Sequence, residues 1–227
     1  MHGLAARPRM VLIDLDGTLV DSVPDLAHAV DVMMREIGLQ ERGEARVREW
    51  IGNGAERLVR RALVNAYDGE PDEGLYRRAY PIFLEAYARD VCTYSRPFPG
   101  VMEGVDYLDR AGYRLGCVTN KPARFTEPLL QQLGLFERFQ AVISGDTLAE
   151  KKPHPAPLLH AAKVLGVAPG ESLMVGDSIN DVEAARAAGF KVVCVNYGYN
   201  HGMDIRDAAP DAVIGSLLEL RELLESL

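Results

Sequence analysis

The chain has 227 residues, with 25 basic and 33 acidic side chains, a net charge of −8 and 48% hydrophobic content. That length permits a sizeable core, in one large domain or in a domain carrying an insert, and the composition is that of an ordinary globule. The acidic balance argues against nucleic acid or an anionic membrane surface as a partner.

Residues 1–9 contain no apolar stretch long enough for a signal peptide, and no segment approaches membrane-spanning length. The cytoplasm is the expected compartment. Cys92, Cys117 and Cys194 lie far apart, which fits free thiols in a reducing environment. The run Met10-Val11-Leu12-Ile13 reads as a strand buried on both faces. Asp14 and Asp16 follow at i and i+2, on the same side of an extended chain. Gly17 lets the backbone turn, and Thr18 offers a hydroxyl there as a candidate substrate contact. Two acids at the end of a buried strand repel each other and lose solvation, and a divalent cation such as Mg²⁺ would relieve both.

Pro24 suits the first turn of a helix that ends near Gly38, with Leu26, Val30, Met33 and Ile37 at helical spacing. Further helices are predicted over 44–50, 55–67 and 72–92, the last kinked or split by Pro81. Between the second and third, Trp50-Ile51-Gly52-Asn53-Gly54-Ala55 sets a Gly-Asn-Gly loop on a helix N-terminus. This is a ready site for a carboxylate or other small anion, with Arg57 one turn on. Ser95 to Gly100, rich in proline, reads as a hinge. Afterwards helix and strand alternate: helices 101–111, 124–133, 156–165 and 179–188 lead to strands 114–119, 141–144, 173–175 and 191–195. A short strand 212–214 and a helix 217–224 finish the chain. Such alternation makes a parallel sheet with helices on both faces, whose ligands bind at the carboxyl ends of the strands.

Three further signals fall at those ends. They are Thr119-Asn120-Lys121-Pro122, Lys151-Lys152-Pro153-His154-Pro155, and Gly176-Asp177-Ser178-Ile179-Asn180-Asp181. With Asp14-Leu15-Asp16-Gly17-Thr18 they resemble the four motifs of haloacid dehalogenase-like phosphatases. The resemblance implies an α/β fold, a Rossmann-like parallel sheet core with an inserted helical cap. The core would be residues 1–20 and 97–227, and the cap 21–96. It implies Asp14 as nucleophile and Asp16 as general acid/base. Thr119 and Asn120 would hold the phosphoryl group, and Lys152 would neutralise its charge. Mg²⁺ would be bound by Asp14, Asp177 and the backbone carbonyl of Asp16, with Asp181 acting through a water or by holding Lys152.

The Gly52–Gly54 loop, Tyr197-Gly198-Tyr199-Asn200-His201-Gly202 and the lysine motifs also resemble those of bacterial phosphoglycolate phosphatases, over nearly the whole chain. That likeness implies 2-phosphoglycolate as substrate, which fits Asn53, Gly54 and Arg57 as candidate cap contacts; a monomer or homodimer is the expected state. Residues 21–100 contain no lysine, which excludes a Schiff-base phosphonoacetaldehyde hydrolase. The presence of Asp16 excludes a dehalogenase. Amino-sugar 6-phosphate phosphatase, pyrophosphatase and β-phosphoglucomutase share the core motifs and stay open. A phospho-accepting signalling domain or an inactive binding module is the non-enzyme alternative. The former has no use for a long helical insert, and the latter none for an intact motif set.

Overall fold

The computed structural model describes residues 7–227. Residues 1–6, part of the stretch read above as lacking a signal peptide, lie outside them. The chain opens with strands β1 (Met10–Ile13) and β2 (Val20–Asp21). Helices α1 (Val23–Glu36), α2 (Gly43–Trp50), α3 (Ala55–Val64) and α4 (Glu73–Arg89) follow, then strand β3 (Arg96–Pro97). The alternating part is α5 (Val101–Arg110), β4 (Arg114–Val118), α6 (Ala123–Gln132), β5 (Ala141–Ile143), α7 (Ala156–Leu165), β6 (Ser172–Gly176), α8 (Ile179–Ala188) and β7 (Lys191–Val195). Strand β8 (Ala212–Ile214) and helix α9 (Leu220–Glu225) complete it. Among the described residues no helix is long and apolar enough to cross a membrane.

The six strands outside the β2–β3 ribbon form one parallel sheet in the order β5-β4-β1-β6-β7-β8 among the described residues. β1 is central, flanked by β4 and β6, so the motif residues that follow these three strands meet at one edge of the sheet. Side chains alternate across it. Val11, Ile13, Leu115, Cys117, Val175 and Val193 join the core that includes α1 and α5. Met10, Leu12, Met174, Val192 and Cys194 join the core under α7 and α8. Apolar residues on both faces are what a central parallel strand requires.

Two details differ from the sequence expectation. α4 runs unbroken through Pro81; that residue is exposed, so solvent can meet the carbonyl that loses its donor. α3 stops at Val64 because Asn65 takes left-handed backbone, φ 55°, a helix-ending conformation. The pairing of β2 with β3, Val20 opposite Pro97 and Asp21 opposite Arg96, has no counterpart in the sequence reading. Two-residue strands carry no periodicity.

The ribbon is tied to α1 by a buried carboxylate. Asp25, 1% exposed, accepts from Tyr94 N (2.9 Å), Ser95 N (2.7 Å) and Ser95 Oγ (2.6 Å). Asp25→Ala orphans two backbone donors and is expected to cost about 3 kcal/mol, lowering Tm by roughly 6–12 °C. A calorimetric Tm within 2 °C of the parent, a shift equivalent to roughly 1 kcal/mol or less, would contradict this tie.

Candidate active site

The ladder carries the site directly. Asp14 N donates to Val175 O (2.9 Å) and Thr119 N to Ile143 O (2.9 Å), so both residues extend their strands. Asp14 Oδ1 accepts from Leu15 N (2.7 Å) and pairs with Lys152 Nζ at 2.9 Å. Lys152 Nζ also donates to Asp181 Oδ1 at 2.6 Å. The second oxygen of Asp181 accepts from Asp177 N, Ser178 N and Ser178 Oγ. Asp181 therefore caps α8 and aims Lys152 at Asp14 at once.

Asp177 is fixed from both sides. Its Oδ1 accepts from Thr18 Oγ1 (3.0 Å) and its Oδ2 from Tyr199 N (2.7 Å). Glycine is required on either flank. At Gly17, φ +91°, a Cβ would fall 2.3 Å from Asp177 Oδ2, and at Gly198 it would fall 2.1 Å from Asp177 Cβ. The tyrosines around Gly198 clamp the loop after β1: Tyr197 Oη donates to Thr18 O (2.8 Å) and Tyr199 Oη to Asp21 Oδ1 (2.7 Å).

Electrostatically the corner is a negative cluster in a dry place. Burial pushes the Asp14 carboxyl up to about 7, against the pull of Lys152. Burial, then Asp181 and Asp14, raise Asp177 well above the ordinary carboxylate range. Burial alone would lower the Lys152 pKa, but Asp14 and Asp181 outweigh it and hold that pKa above the usual lysine value. Oxygens of Asp14, Asp177 and Asp181 lie within 4.8 Å of one another. Hard oxygen donors whose charge is disfavoured by burial suit a divalent cation, which would offset that charge.

The side chain of Asp16 is elsewhere. It accepts from Ser22 Oγ (2.6 Å) and from Lys121 Nζ at 2.9 Å. The third carboxylate of the cluster is thus Asp181, and of Asp16 only the backbone carbonyl named above is left for a metal role. Thr18 also departs from expectation. It is fully buried and its hydroxyl proton goes to Asp177, so it braces that residue and does not line the cavity.

A cavity opens from this corner, with Asp14, Asp16, Thr119, Asn120 and Lys121 on its polar side. Gly54 and Ala55, at the N-terminus of α3, line it from the helical insert. Asn120 Nδ2 donates to Gly52 O (2.9 Å) and to Lys152 O (2.9 Å), and its Oδ1 accepts from Lys152 N (3.0 Å). One amide side chain thereby joins three loops, a role beyond the backbone contact the sequence implied. Asn53 Nδ2 reaches Asn180 Oδ1 at 3.4 Å, and His201 Nδ1 lies 3.2 Å from Glu49 O. The loop is docked on the core, with Asn53 holding it there outside the cavity lining.

Arg57 corrects the sequence expectation outright. Its guanidinium pairs with Glu70 (2.6 Å) and lies 3.8 Å from Asp68. The turn after α3 brings those acids back alongside the helix, and the arginine is absent from the cavity wall. Lys121 was missed. Its place directly after Thr119-Asn120, at the end of β4, was the available signal.

Residues 8–189 match the model of the haloacid dehalogenase-like hydrolase family. The chain belongs to that family. Within it, the phosphoglycolate phosphatase of Nitrosococcus oceani is 61% identical over 218 residues, 96% of this chain and 97% of that one. The phosphoglycolate phosphatase of Thiobacillus denitrificans is 48% identical over 93% of each chain. A crystal structure described as a predicted phosphoglycolate phosphatase from Haemophilus somnus superposes with a TM-score of 0.91 at 36% identity, over 96% of this chain and 99% of that one.

Proposed function

We propose that the chain is a Mg²⁺-dependent phosphoric monoester hydrolase that converts 2-phosphoglycolate to glycolate and phosphate. The observation that carries this reading is the meeting of Asp14, Asp16, Thr119, Lys152 and Asp177 at the carboxyl ends of the central strands, beside a cavity lined by Asp14, Asp16 and Thr119. The names of the relatives support the choice of substrate. The enzyme would work in the cytoplasm as a monomer or homodimer, on a small phosphorylated metabolite, with neither nucleic acid nor membrane as partner.

In this reading residues 21–96 are a cap on a core of residues 1–20 and 97–227. Asp14 attacks phosphorus in line and forms an aspartyl-phosphate. Asp16 gives its proton to the departing glycolate oxygen, then takes one from the water that hydrolyses the acyl phosphate and restores Asp14. Lys152 and the Thr119 hydroxyl stabilise charge on the equatorial oxygens. Asp14, Asp177 and the Asp16 carbonyl would hold Mg²⁺, which supplies Lewis-acid neutralisation of that same charge. The docked Gly52–Gly54 loop keeps bulk water from the acyl phosphate, and its release lets product out.

The test is a panel of phosphomonoesters and pyrophosphate ranked by kcat/KM with Mg²⁺, repeated after EDTA. 2-Phosphoglycolate is expected to rank first, with activity lost on chelation and restored by Mg²⁺. An amino-sugar 6-phosphate, β-glucose 1-phosphate or pyrophosphate at the top would reassign the substrate. Hydrolysis unaffected by chelation would remove the metal.

A further inference from the structure

Beyond the phosphoryl corner, and apart from the N-terminus of α3 at Gly54 and Ala55, the cavity is largely apolar. Its wall there is Leu26, Ile51, Leu58, Phe83, Tyr87 and Phe125. A carboxylate enters such surroundings only with a cation or donors to meet it. Lys152 is committed to Asp14 and Asp181. Arg57 is turned to Glu70, and no lysine occurs between residues 21 and 100. Among the lining residues, Lys121 is the one cationic side chain.

Lys121 is itself 4% exposed. Its Nζ lies 2.9 Å from Asp16 Oδ1, 3.3 Å from Asp16 Oδ2 and 4.7 Å from the centroid of the Tyr87 ring. An ammonium has three donors, and these hydrogen bonds go to a single carboxylate. In 2-phosphoglycolate one methylene separates the ester oxygen from the carboxylate. If Asp16 stands at that oxygen, a cation bonded to Asp16 is beside the carboxylate.

We infer that Lys121 is the residue that reads the substrate's carboxylate, donating to it from the cavity wall while Asp16 and Tyr87 hold the ammonium in place. The inference rests on the 2-phosphoglycolate reading above. It places substrate choice on a core loop that also carries the phosphoryl-binding Thr119, whereas the sequence points to the cap.

The test compares 2-phosphoglycolate with 2-hydroxyethyl phosphate, which keeps the ester and replaces the carboxylate by a neutral group. Lys121→Met is expected to lower the ratio of the two kcat/KM values at least about thirtyfold, chiefly through KM for 2-phosphoglycolate. Lys121→Arg should recover part of the ratio. Lys151→Met should leave it unchanged, although Lys151 Nζ comes within 3.6 Å of where a Cβ on Gly54 would stand. Calorimetric binding of 3-phosphonopropionate, which is not hydrolysed, should weaken in step in Lys121→Met, or in Lys121→Gln if the methionine variant does not fold.

Equal losses on both esters would mean that Lys121 only props Asp16, and would overturn the inference. So would a carboxylate preference that survives Lys121→Met or moves to Lys151. A parent enzyme with no preference between the esters would fail the substrate reading first, and this inference with it.

Discussion

Asp14→Asn is expected to abolish turnover, by on the order of 10⁴-fold or more, while the fold persists. The two contacts of the carboxylate, Leu15 N and Lys152 Nζ, both fall on Oδ1, which leaves Oδ2 to attack. An amide is no nucleophile toward phosphorus, and no neighbouring acid can replace Asp14. Asp16 is held by Ser22 and Lys121, and Asp177 by Thr18 and Tyr199. Single-turnover phosphate release, with trapping of the acyl phosphate in the parent enzyme, checks this. A reduction of only a few fold would reassign the nucleophile.

The same variant carries a stability signature. Burial raises the Asp14 pKa from 3.8 to about 7 in the folded chain. The folded state therefore holds its proton more tightly than the unfolded state. The stability this contributes is present below pH 3.8 and is lost as pH rises through about 7. Asparagine has no such loss. In metal-free protein the Tm of Asp14→Asn, relative to the parent, is expected to rise across that window. A constant difference from acid to neutral pH would mean that the folded carboxyl keeps its ordinary pKa.

Asp181→Ala is expected to combine the largest stability loss with a catalytic one. Asp181 is fully buried and holds Lys152, Asp177 N and Ser178 through its two oxygens. Removing one partner of a buried pair costs about 3–5 kcal/mol, or roughly 6–20 °C in Tm for a chain of this size. Asp181→Asn keeps an acceptor for the α8 cap but loses the charge that steers Lys152. It should melt closer to the parent and still lose about ten- to a hundredfold in kcat. Full activity in the asparagine variant would show that Asp14 alone positions Lys152.

Much of this molecule is local in origin. The run Met10–Ile13 is apolar on both faces, which is how a central parallel strand reads. Alternating helix and strand signals after residue 100 required a parallel sheet. Asp14, Thr119 and Asp177 each follow directly on a strand, and sheet topology brings those ends together, while Lys152 stands nine residues beyond β5. That is why Asp14, Thr119 and Asp177 stand out in the sequence as candidates. The helices α1 to α4 were legible for a similar reason, since apolar spacing is a property of neighbours along the chain.

Side-chain destinations were not legible, because they depend on partners from distant segments. Arg57 lies beside an anion-ready loop in sequence, yet the turn after α3 returns Glu70 to within 2.6 Å of it. Thr18 is one residue from a sharp turn toward the site, yet its hydroxyl donates to Asp177, 159 positions on. Asn120 joins Gly52 and Lys152, and Lys121 reaches Asp16 across 105 positions. The amino-acid sequence by itself determined the fold and the family, and offered the acids and the lysine as candidates, since strand, turn and motif are short-range. Only the tertiary structure decided which cation faces the cavity and which braces a neighbour. In a dry interior a charge goes to the nearest opposite charge, and nearness is set by packing.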